Sequence, residues 1–277
     1  MTTTTRTDVV LPEAVQGVLS STRPNRPGPL STSLTFWWRA MLKIKHVPEQ
    51  LFDVTAFPIM FLLMFTYLFG GAVAGSTGAY LQQVLPGILV MTVTWITMYT
   101  GLTLNRDIQR GVHDRFRSLP IWRPSTIVGP LLADAVRYTL ASLIILLLGI
   151  VLGFRAGAGP VGVVASLGLL LVFSFSLSWI WTLVGLLVRT DNAVFAISNM
   201  VMFPLTFVSN VFVPPETLPG WLQAFVEVNP ISILVTATRG LMHGVPVAGE
   251  IGIVLAISAG LVAVFGPLTM WVYRRKA

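Results

Sequence analysis

The stretch VTAFPIMFLLMFTYLFGGAVAGSTGAYLQQVLPGILVMTVTWITMYTGLTLN, from Val54 to Asn105, contains no Asp, Glu, Lys, Arg or His. A helix needs about 20 apolar residues to cross a bilayer, so this stretch is long enough for two membrane-spanning helices. The rest of the chain agrees: 54% of its 277 residues are hydrophobic and 10% are charged, whereas a soluble domain carries about 25% charged residues. The mean hydropathy is +0.78. The sequence therefore predicts an integral membrane protein.

Apolar segments that are almost free of charge recur along the chain. They are continuous rather than alternating, which favours helices over a barrel, because backbone polar groups in lipid must be satisfied within the segment. Proline inside such a helix is tolerated, as at Pro58 and Pro204. The sequence predicts an all-α integral membrane protein with six transmembrane helices, at about residues 54–71, 84–104, 134–154, 162–188, 192–212 and 251–273.

The basic residues indicate the orientation. With both termini in the cytoplasm, sixteen of the 18 Lys and Arg residues fall on the cytoplasmic side, and only Arg155 and Arg239 fall outside. The positive-inside rule therefore predicts a multi-pass protein of the cell (plasma) membrane with both termini cytoplasmic. The formal net charge of +7 is accounted for by this topology, and we expect no nucleic-acid partner.

The N-terminal region differs from the remainder. Residues 1–30 are rich in Thr, Pro and Ser and lack the basic start and apolar core of a signal peptide, so we expect a disordered cytoplasmic tail. Residues 31–277 form a single transmembrane domain. The chain has no cysteine, which excludes disulfides and thiolate metal sites.

The segment SLTFWWRAMLKIKHVPEQ, residues 33–50, separates apolar and basic side chains onto different helical faces. This pattern is typical of a helix that lies in the membrane interface and faces anionic lipid. An ordinary juxtamembrane anchor is the alternative. The residues that define this interfacial helix are Trp37, Arg39, Met41 and Lys43.

Two short elements precede the last span. In PPETLPGWLQAFVEVNP, residues 214–230, four apolar residues share one helical face, which predicts an amphipathic helix at the outer interface: Leu218, Trp221, Leu222 and Phe225. The next segment, ISILVTATRGLMHG, is apolar for only about eight residues before Arg239 and is too short to span. We expect a re-entrant helical segment buried by protein; a surface loop is the alternative.

The segment NRDIQRGVHDRFRSLPIWRPS, from Asn105 to Ser125, holds five arginines, two aspartates and a histidine between apolar blocks. Asp–Arg pairs three residues apart would support a short exposed helix, and its Phe and Leu side chains offer an apolar face to a soluble partner. A loop that only fixes orientation is the alternative. The candidate docking residues are Arg110, Gly111, Asp114, Arg115, Phe116, Arg117, Ser118, Leu119 and Pro120.

Aromatic and a few polar side chains collect in the first, second and fifth predicted spans. Aromatic walls with few hydrogen-bonding groups suit flat hydrophobic ligands, although packing alone also uses such residues. The candidates for a substrate path are Phe61, Phe65, Trp95, Tyr99, Asn199, Phe203 and Phe207.

These segments together resemble a permease of the type-2 ABC (ATP-binding cassette) exporter family, in the daunorubicin/doxorubicin-resistance branch. The resemblance covers about residues 30–277. The matching pieces, in order, are HVPEQLFDVTAFPIMFLLMFTYLFGGAVAGSTG, LPGILVMT, GVHDRFRSLPIWRPS, FPLTFVSNVFVPPETLPGWLQAFVEVNPIS and RGLMHG.

The resemblance implies a permease that dimerises, as a homodimer in the simplest case, and binds two copies of a cytoplasmic ABC ATPase subunit. It maps the family's coupling helix onto Arg110–Pro120, its connecting helix onto residues 33–47, and its external and re-entrant helices onto 214–244. ATP and Mg would be bound by the ATPase, so we expect no cofactor and no metal in this chain. The small residues of FSFSLSWIWTLVG, 173–185, would let helices approach closely.

The chain contains no G-x-x-x-x-G-K-[ST] phosphate loop, so we expect a transport subunit without catalytic residues of its own. The function implied is ATP-driven export of a hydrophobic or amphipathic small molecule, such as an antibiotic, another drug or a lipid. An ion-coupled secondary transporter is one alternative; Asp134 and Arg137 are ionisable near a span, though able to pair. Another alternative is a membrane enzyme that acts on lipid, which would need clustered Asp, His or Glu residues. The three histidines, His46, His113 and His243, lie far apart in sequence.

Overall fold

The computed structural model describes residues 28–46, 49–111 and 125–276, which are almost entirely helical and contain no strand. A π-helical turn, Phe65–Phe69, joins the second helix to the third, and a 3-10 turn, Pro215–Thr217, precedes the eighth. The all-α prediction is confirmed for this part of the chain. The helices are α1 Pro29–His46, α2 Glu49–Met64, α3 Gly70–Ala74, α4 Thr77–Gln109, α5 Ser125–Val151, α6 Gly159–Leu187, α7 Asp191–Phe207, α8 Gly220–Val228, α9 Pro230–His243 and α10 Ala248–Lys276.

Five helical stretches of the described chain are long and apolar enough to cross a membrane. The first runs without interruption through α2, the π turn and α3. They correspond to the predicted spans at 54–71, 84–104, 134–154, 162–188 and 251–273. Their bounds are Thr55–Ala74, Thr77–Gln109, Val128–Val151, Gly159–Leu187 and Ala248–Arg275.

The predicted span at 192–212 is too long at its C-terminal end. Helix α7 has 17 residues and ends at Phe207, which gives a length of about 25 Å against a hydrocarbon core of about 30 Å. Asn229 explains the early end: its Nδ2 donates to the carbonyls of Leu205 and Val208, at 2.8 Å each. The Leu205 carbonyl would otherwise serve the next helical turn. A partner that lies 24 residues away cannot be read from a hydropathy pattern.

Helix α4 is the centre of the bundle, with α2, α5, α6, α7 and α9 packed around it. It crosses α6 at two glycines. A Cβ on Gly101 would lie 2.2 Å from the carbonyl oxygen of Trp181, and one on Gly185 would lie 2.4 Å from that of Gly101. The two backbones are therefore in direct contact, as small residues allow in membrane helices. The small residues of 173–185 therefore allow close packing between helices of one chain, and they do not support an interface with a second copy.

Helix α1 packs along the start of α5. A Cβ on Gly129 would lie 2.4 Å from the Cβ of Phe36. The close contact between α1 and α5 therefore requires a glycine at this position. The helix begins at Pro29, four residues before the predicted start at residue 33. Its exposed apolar residues recur every fourth position and form one stripe: Leu30, Leu34, Trp38 and Leu42. This stripe suits an interfacial helix that rests on lipid.

We call the side of the bundle at which α4 begins the far end. At the far end, Pro86 lies inside α4 and has no N–H to donate to the carbonyl of Gln82. The Nε2 of His243 donates to this carbonyl instead, at 3.0 Å. Arg239 donates to the carbonyl of Gln83 at 3.2 Å and to that of Asn210 at 3.0 Å. Helix α9 is thus fixed to a proline-weakened turn of α4.

Helix α8, which precedes α9, is amphipathic, although Leu218 of the predicted face lies before its first residue. Val226 packs inward, whereas Trp221 and Phe225 are 75% and 41% exposed. The exposed side of α8 is therefore the aromatic one, as expected of a helix at a membrane interface.

Candidate functional site

A cavity of about 290 Å³ lies between α2, α4 and α7. Four of the seven residues predicted for a substrate path line it, namely Trp95, Tyr99, Asn199 and Phe203. The cavity is open to the surface, because Phe203 is 47% exposed. Its full lining is Phe57, Pro58, Met91, Trp95, Ile96, Met98, Tyr99, Phe195, Asn199 and Phe203.

The remaining three predicted residues, Phe61, Phe65 and Phe207, lie outside this lining and pack around Phe212. Ring centroids are 4.4 Å apart for Phe65 and Phe212, 5.6 Å for Phe207 and Phe212, and 5.9 Å for Phe61 and Phe212. Sequence reasoning missed Phe212, because it lies in the irregular segment after α7. Tyr80 positions it by donating from its hydroxyl to the Phe212 carbonyl at 2.8 Å.

The cavity and this cluster form one aromatic array. Phe57 and Phe61 lie 4.3 Å apart on α2, and Phe203 and Phe207 stack at 5.3 Å on α7. These pairs are four residues apart, so each helix presents its rings along one stripe. The array therefore runs along two facing helices from the cavity toward the far end. The sequence signal for it is the spacing of Phe57, Phe61, Phe65 and Phe69.

The indole of Trp95 has a fixed orientation. Its Nε1 donates to the hydroxyl oxygen of Thr206 at 2.9 Å, and Phe203 meets it edge-on, with centroids 5.0 Å apart. The amide nitrogen of Asn199 donates to the Phe195 carbonyl at 2.8 Å, so the side-chain oxygen of Asn199 is not needed for this bond. The lining residues carry no charge. Such a site suits a flat apolar ligand with at least one hydrogen-bond donor.

A buried polar layer joins α4, α5 and α6. Asp134 accepts a hydrogen bond from the Thr100 hydroxyl at 2.6 Å and pairs with Arg137 at 3.0 Å. The hydroxyls of Tyr138 and Ser178 lie 2.7 Å apart in the same layer. Both carboxylate oxygens of Asp134 are engaged: the predicted i, i+3 pairing with Arg137 is present within α5, and the hydrogen bond from Thr100 links α5 to α4. This arrangement gives no support to an ion-coupling role.

Only the first two candidate docking residues fall within the described part of the chain. Arg110 and Gly111 form the turn that ends α4, and Gly111 adopts a left-handed φ of 66°, the conformation that glycine favours just after a helix. Asp114, Arg115, Phe116, Arg117, Ser118, Leu119 and Pro120 lie outside the described residues. Trp37, Arg39, Met41 and Lys43 lie on α1, and the ring of Trp37 is 6.5 Å from that of Trp38.

Just before this turn, three side chains of α4 contact residues 185–191; we call this set of contacts the α4–α7 clasp. Asn105 donates from Nδ2 to the carbonyls of Gly185 and Val188, at 2.8 and 2.7 Å. Arg106 pairs with Asp191 at 2.9 Å. Gln109 donates to the Arg189 carbonyl at 3.1 Å. Sequence reasoning missed the clasp, since its two halves are about 80 residues apart.

Comparison with known proteins bears directly on this arrangement. A sequence model of the family described as ABC-2 type transporter matches residues 33–243. The chain is 52% identical over 254 residues to the daunorubicin resistance ABC transporter permease protein DrrB1 of Streptomyces coeruleorubidus, covering 92% of this chain and 90% of that protein.

Two mycobacterial proteins are more distant relatives. The doxorubicin resistance ABC transporter permease protein DrrB of Mycobacterium tuberculosis is 30% identical over 226 residues, covering 76% of this chain and 77% of that protein. The probable doxorubicin resistance ABC transporter permease protein DrrC of the same organism is 28% identical over 224 residues, covering 79% and 80%. All three matches extend over most of both chains.

Proposed function

Because the chain belongs to the ABC-2 type transporter family, as a multi-pass membrane permease subunit, we propose that it exports flat, hydrophobic or amphipathic small molecules and draws its energy from a separate ABC ATPase. The names of the relatives make antibiotics of the daunorubicin and doxorubicin kind the first substrates to test. Other drugs or lipids are members of the same chemical class.

The observation that carries the proposal is the aromatic cavity between α2, α4 and α7. Its walls are mostly aromatic rings and thioethers, and Asn199 adds an amide side chain to the lining. Ligand sites for drug-sized molecules are mostly apolar with a few placed polar groups. An apolar ligand enters such a site from the lipid or the cytoplasm without the desolvation cost that a charged ligand would incur.

The chain spans the membrane six times in this proposal, with both termini in the cytoplasm. Helix α7 is the fifth span in chain order, and the irregular segment after Phe207 completes the crossing, with the side chain of Asn229 satisfying the carbonyls of Leu205 and Val208. Helix α9 is the re-entrant segment. It is too short to span and lies against α4, α6 and α10, so its backbone is buried by protein rather than by lipid.

Two copies of the permease enclose the substrate path. The cavity in one copy is about 290 Å³, at the lower limit of the roughly 300–1,000 Å³ of drug-sized sites, and it opens to the surface past Phe57 and Phe203. A second copy facing this opening would close it and enlarge the site. Native mass measurement of the detergent-solubilised complex tests this arrangement; a stable complex with a single permease copy would refute it.

The proposed site is tested by daunorubicin transport in cells that express the permease with its ATPase. Phe203→Ala removes a ring that is 47% exposed at the cavity, so folding tolerates it, and aromatic anchors of this kind contribute about 2 kcal/mol, roughly thirtyfold in affinity. Leu147→Ala is the control, because this α5 residue is 60% exposed and does not line the cavity. Equal transport by the two variants would show that the cavity is not the substrate site.

The docking element is tested separately. Phe116→Ala removes the apolar contact proposed for the ATPase, and Arg115→Glu introduces a repulsive charge whose effect should be greatest at low salt. Arg123→Ala lies past Pro120 and serves as the control. We expect reduced co-purification of the ATPase with the first two variants only. Normal co-purification and full transport by both would leave Arg110–Pro120 as a segment that only fixes orientation.

A further inference from the structure

The α4–α7 clasp joins the last turn of α4 to the first turn of α7, and the proposed function gives it no role. Asn105 is its buried centre, with 2% of its surface exposed. Both carbonyls that it contacts, those of Gly185 and Val188, lie at the C-terminal end of α6. Carbonyls at a helix end have no helical donor. A side chain of α4 therefore satisfies the end of α6 and holds the connection to α7.

The neighbouring contacts fix the asparagine in this orientation. Gln109 donates to the side-chain oxygen of Asn105 and also to the carbonyl of Arg189. The amide of Asn105 thus has partners for both its oxygen and its nitrogen, and the short connection 188–190 is held at two backbone carbonyls. This connection has no freedom to move apart from α4 while these hydrogen bonds persist.

The ion pair carries the attachment into α7 itself. Arg106 Nε donates to Asp191, the first residue of α7. Asn199 and Phe203 of the cavity lie about 12 and 18 Å further along the same helix, at 1.5 Å of rise per residue. On the other side of the clasp, Arg110 follows directly after α4 and begins the proposed docking element. The clasp therefore lies between the docking element and one wall of the cavity.

We propose that the α4–α7 clasp transmits movement of the C-terminal end of α4 to α7, so that ATP hydrolysis reshapes the cavity from two of the three helices that line it. Arg106 and Asp191 are positioning residues in this account, since neither lines the cavity. The proposal rests on the proposed function, in which Arg110–Pro120 contacts the ATPase. Without the clasp, a movement of the ATPase would displace α4 but would not be transmitted to α7.

Arg106→Gln and Asp191→Asn test the proposal in the complete complex with its ATPase. We expect normal co-purification of the ATPase and normal ATP hydrolysis without substrate. Daunorubicin transport per ATP hydrolysed should fall by about twofold to thirtyfold, the range over which substitutions along a coupling network act. Stimulation of hydrolysis by daunorubicin should fall as well, because the coupling between two sites works in both directions. Arg189→Gln is the charge-matched control, since the clasp uses only the backbone carbonyl of this exposed residue.

A rescue experiment separates transmission from stability. The chain has no cysteine, so the pair Arg106→Cys and Asp191→Cys can be joined selectively by a bifunctional thiol reagent. The double variant should be uncoupled before cross-linking and should recover transport afterwards. Block of transport by the cross-link would overturn the proposal, because the clasp would then have to open during the cycle. Loss of ATPase co-purification in the ion-pair variants would overturn it too, by assigning the pair to docking. Failure of the proposed function itself would differ, since the unaltered complex would then show no ATP-driven transport.

Discussion

The crossing of α4 and α6 makes a quantitative prediction at Gly185. A Cβ at this position would lie 2.4 Å from the carbonyl oxygen of Gly101 and 3.0 Å from its carbonyl carbon. The usual separation of carbon and oxygen in such contacts is about 3.3 Å, so Gly185→Ala requires the two helices to separate by about 1 Å. Overpacking of this kind costs about 1–3 kcal/mol, and the displacement also acts on the hydrogen bond from Asn105 to the Gly185 carbonyl.

Gly168→Ala is the matched control on the same helix, since a Cβ at Gly168 meets nothing within 4 Å. Both substitutions gain about 1 kcal/mol of helix propensity, so the difference between the two variants isolates the cost of the close approach. At about 2–4 °C per kcal/mol for a chain of this size, Gly185→Ala should unfold several degrees below Gly168→Ala in the same detergent. Equal midpoints, or a more stable Gly185→Ala, would refute direct backbone contact at this crossing.

Three further substitutions follow from buried polar contacts. Asn229→Leu removes both hydrogen bonds that end α7 and should cost about 1–3 kcal/mol of stability, seen as a lower midpoint in the same thermal assay; an unchanged midpoint would remove the reason given for the end of α7. Asp134→Asn leaves Arg137 without its carboxylate and should cost about 3 kcal/mol, much of it recovered when Arg137 is also replaced by Met; a neutral single variant would contradict the structural role of the pair. Thr206→Val deprives the Trp95 indole of its acceptor and should weaken daunorubicin binding to the purified permease, whereas unaltered binding would show that the orientation of Trp95 is immaterial.

The apolar spans could be predicted from the sequence, because hydrophobicity and the absence of charge act over whole segments of about 20 residues. Five spans agree with helices in the structure for this reason. The predicted span at 192–212 differs because the end of α7 is decided by Asn229, a single side chain far along the sequence. Helix bounds of this kind depend on specific tertiary hydrogen bonds, which hydropathy does not encode.

The candidate site could be predicted in part. Aromatic residues four apart on α2 and on α7 indicated two stripes, and the structure brings Trp95, Tyr99, Asn199 and Phe203 to one cavity. The sequence could not show that Phe61, Phe65 and Phe207 pack around Phe212 instead, because that ring comes from an irregular segment. The sequence could not predict the clasp either, because its donors are ordinary polar residues at the end of a long apolar helix.

Reconstitution decides whether this permease moves its substrate with energy from a separate ATPase. The permease would be purified with the ABC ATPase that co-purifies with it and inserted into lipid vesicles, with ATP and daunorubicin added outside. We expect accumulation of daunorubicin in the lumen that requires ATP hydrolysis, stops with a non-hydrolysable ATP analogue and is weakened by Phe203→Ala. Accumulation driven by a proton gradient in the absence of ATP would contradict it and would identify the chain as an ion-coupled transporter.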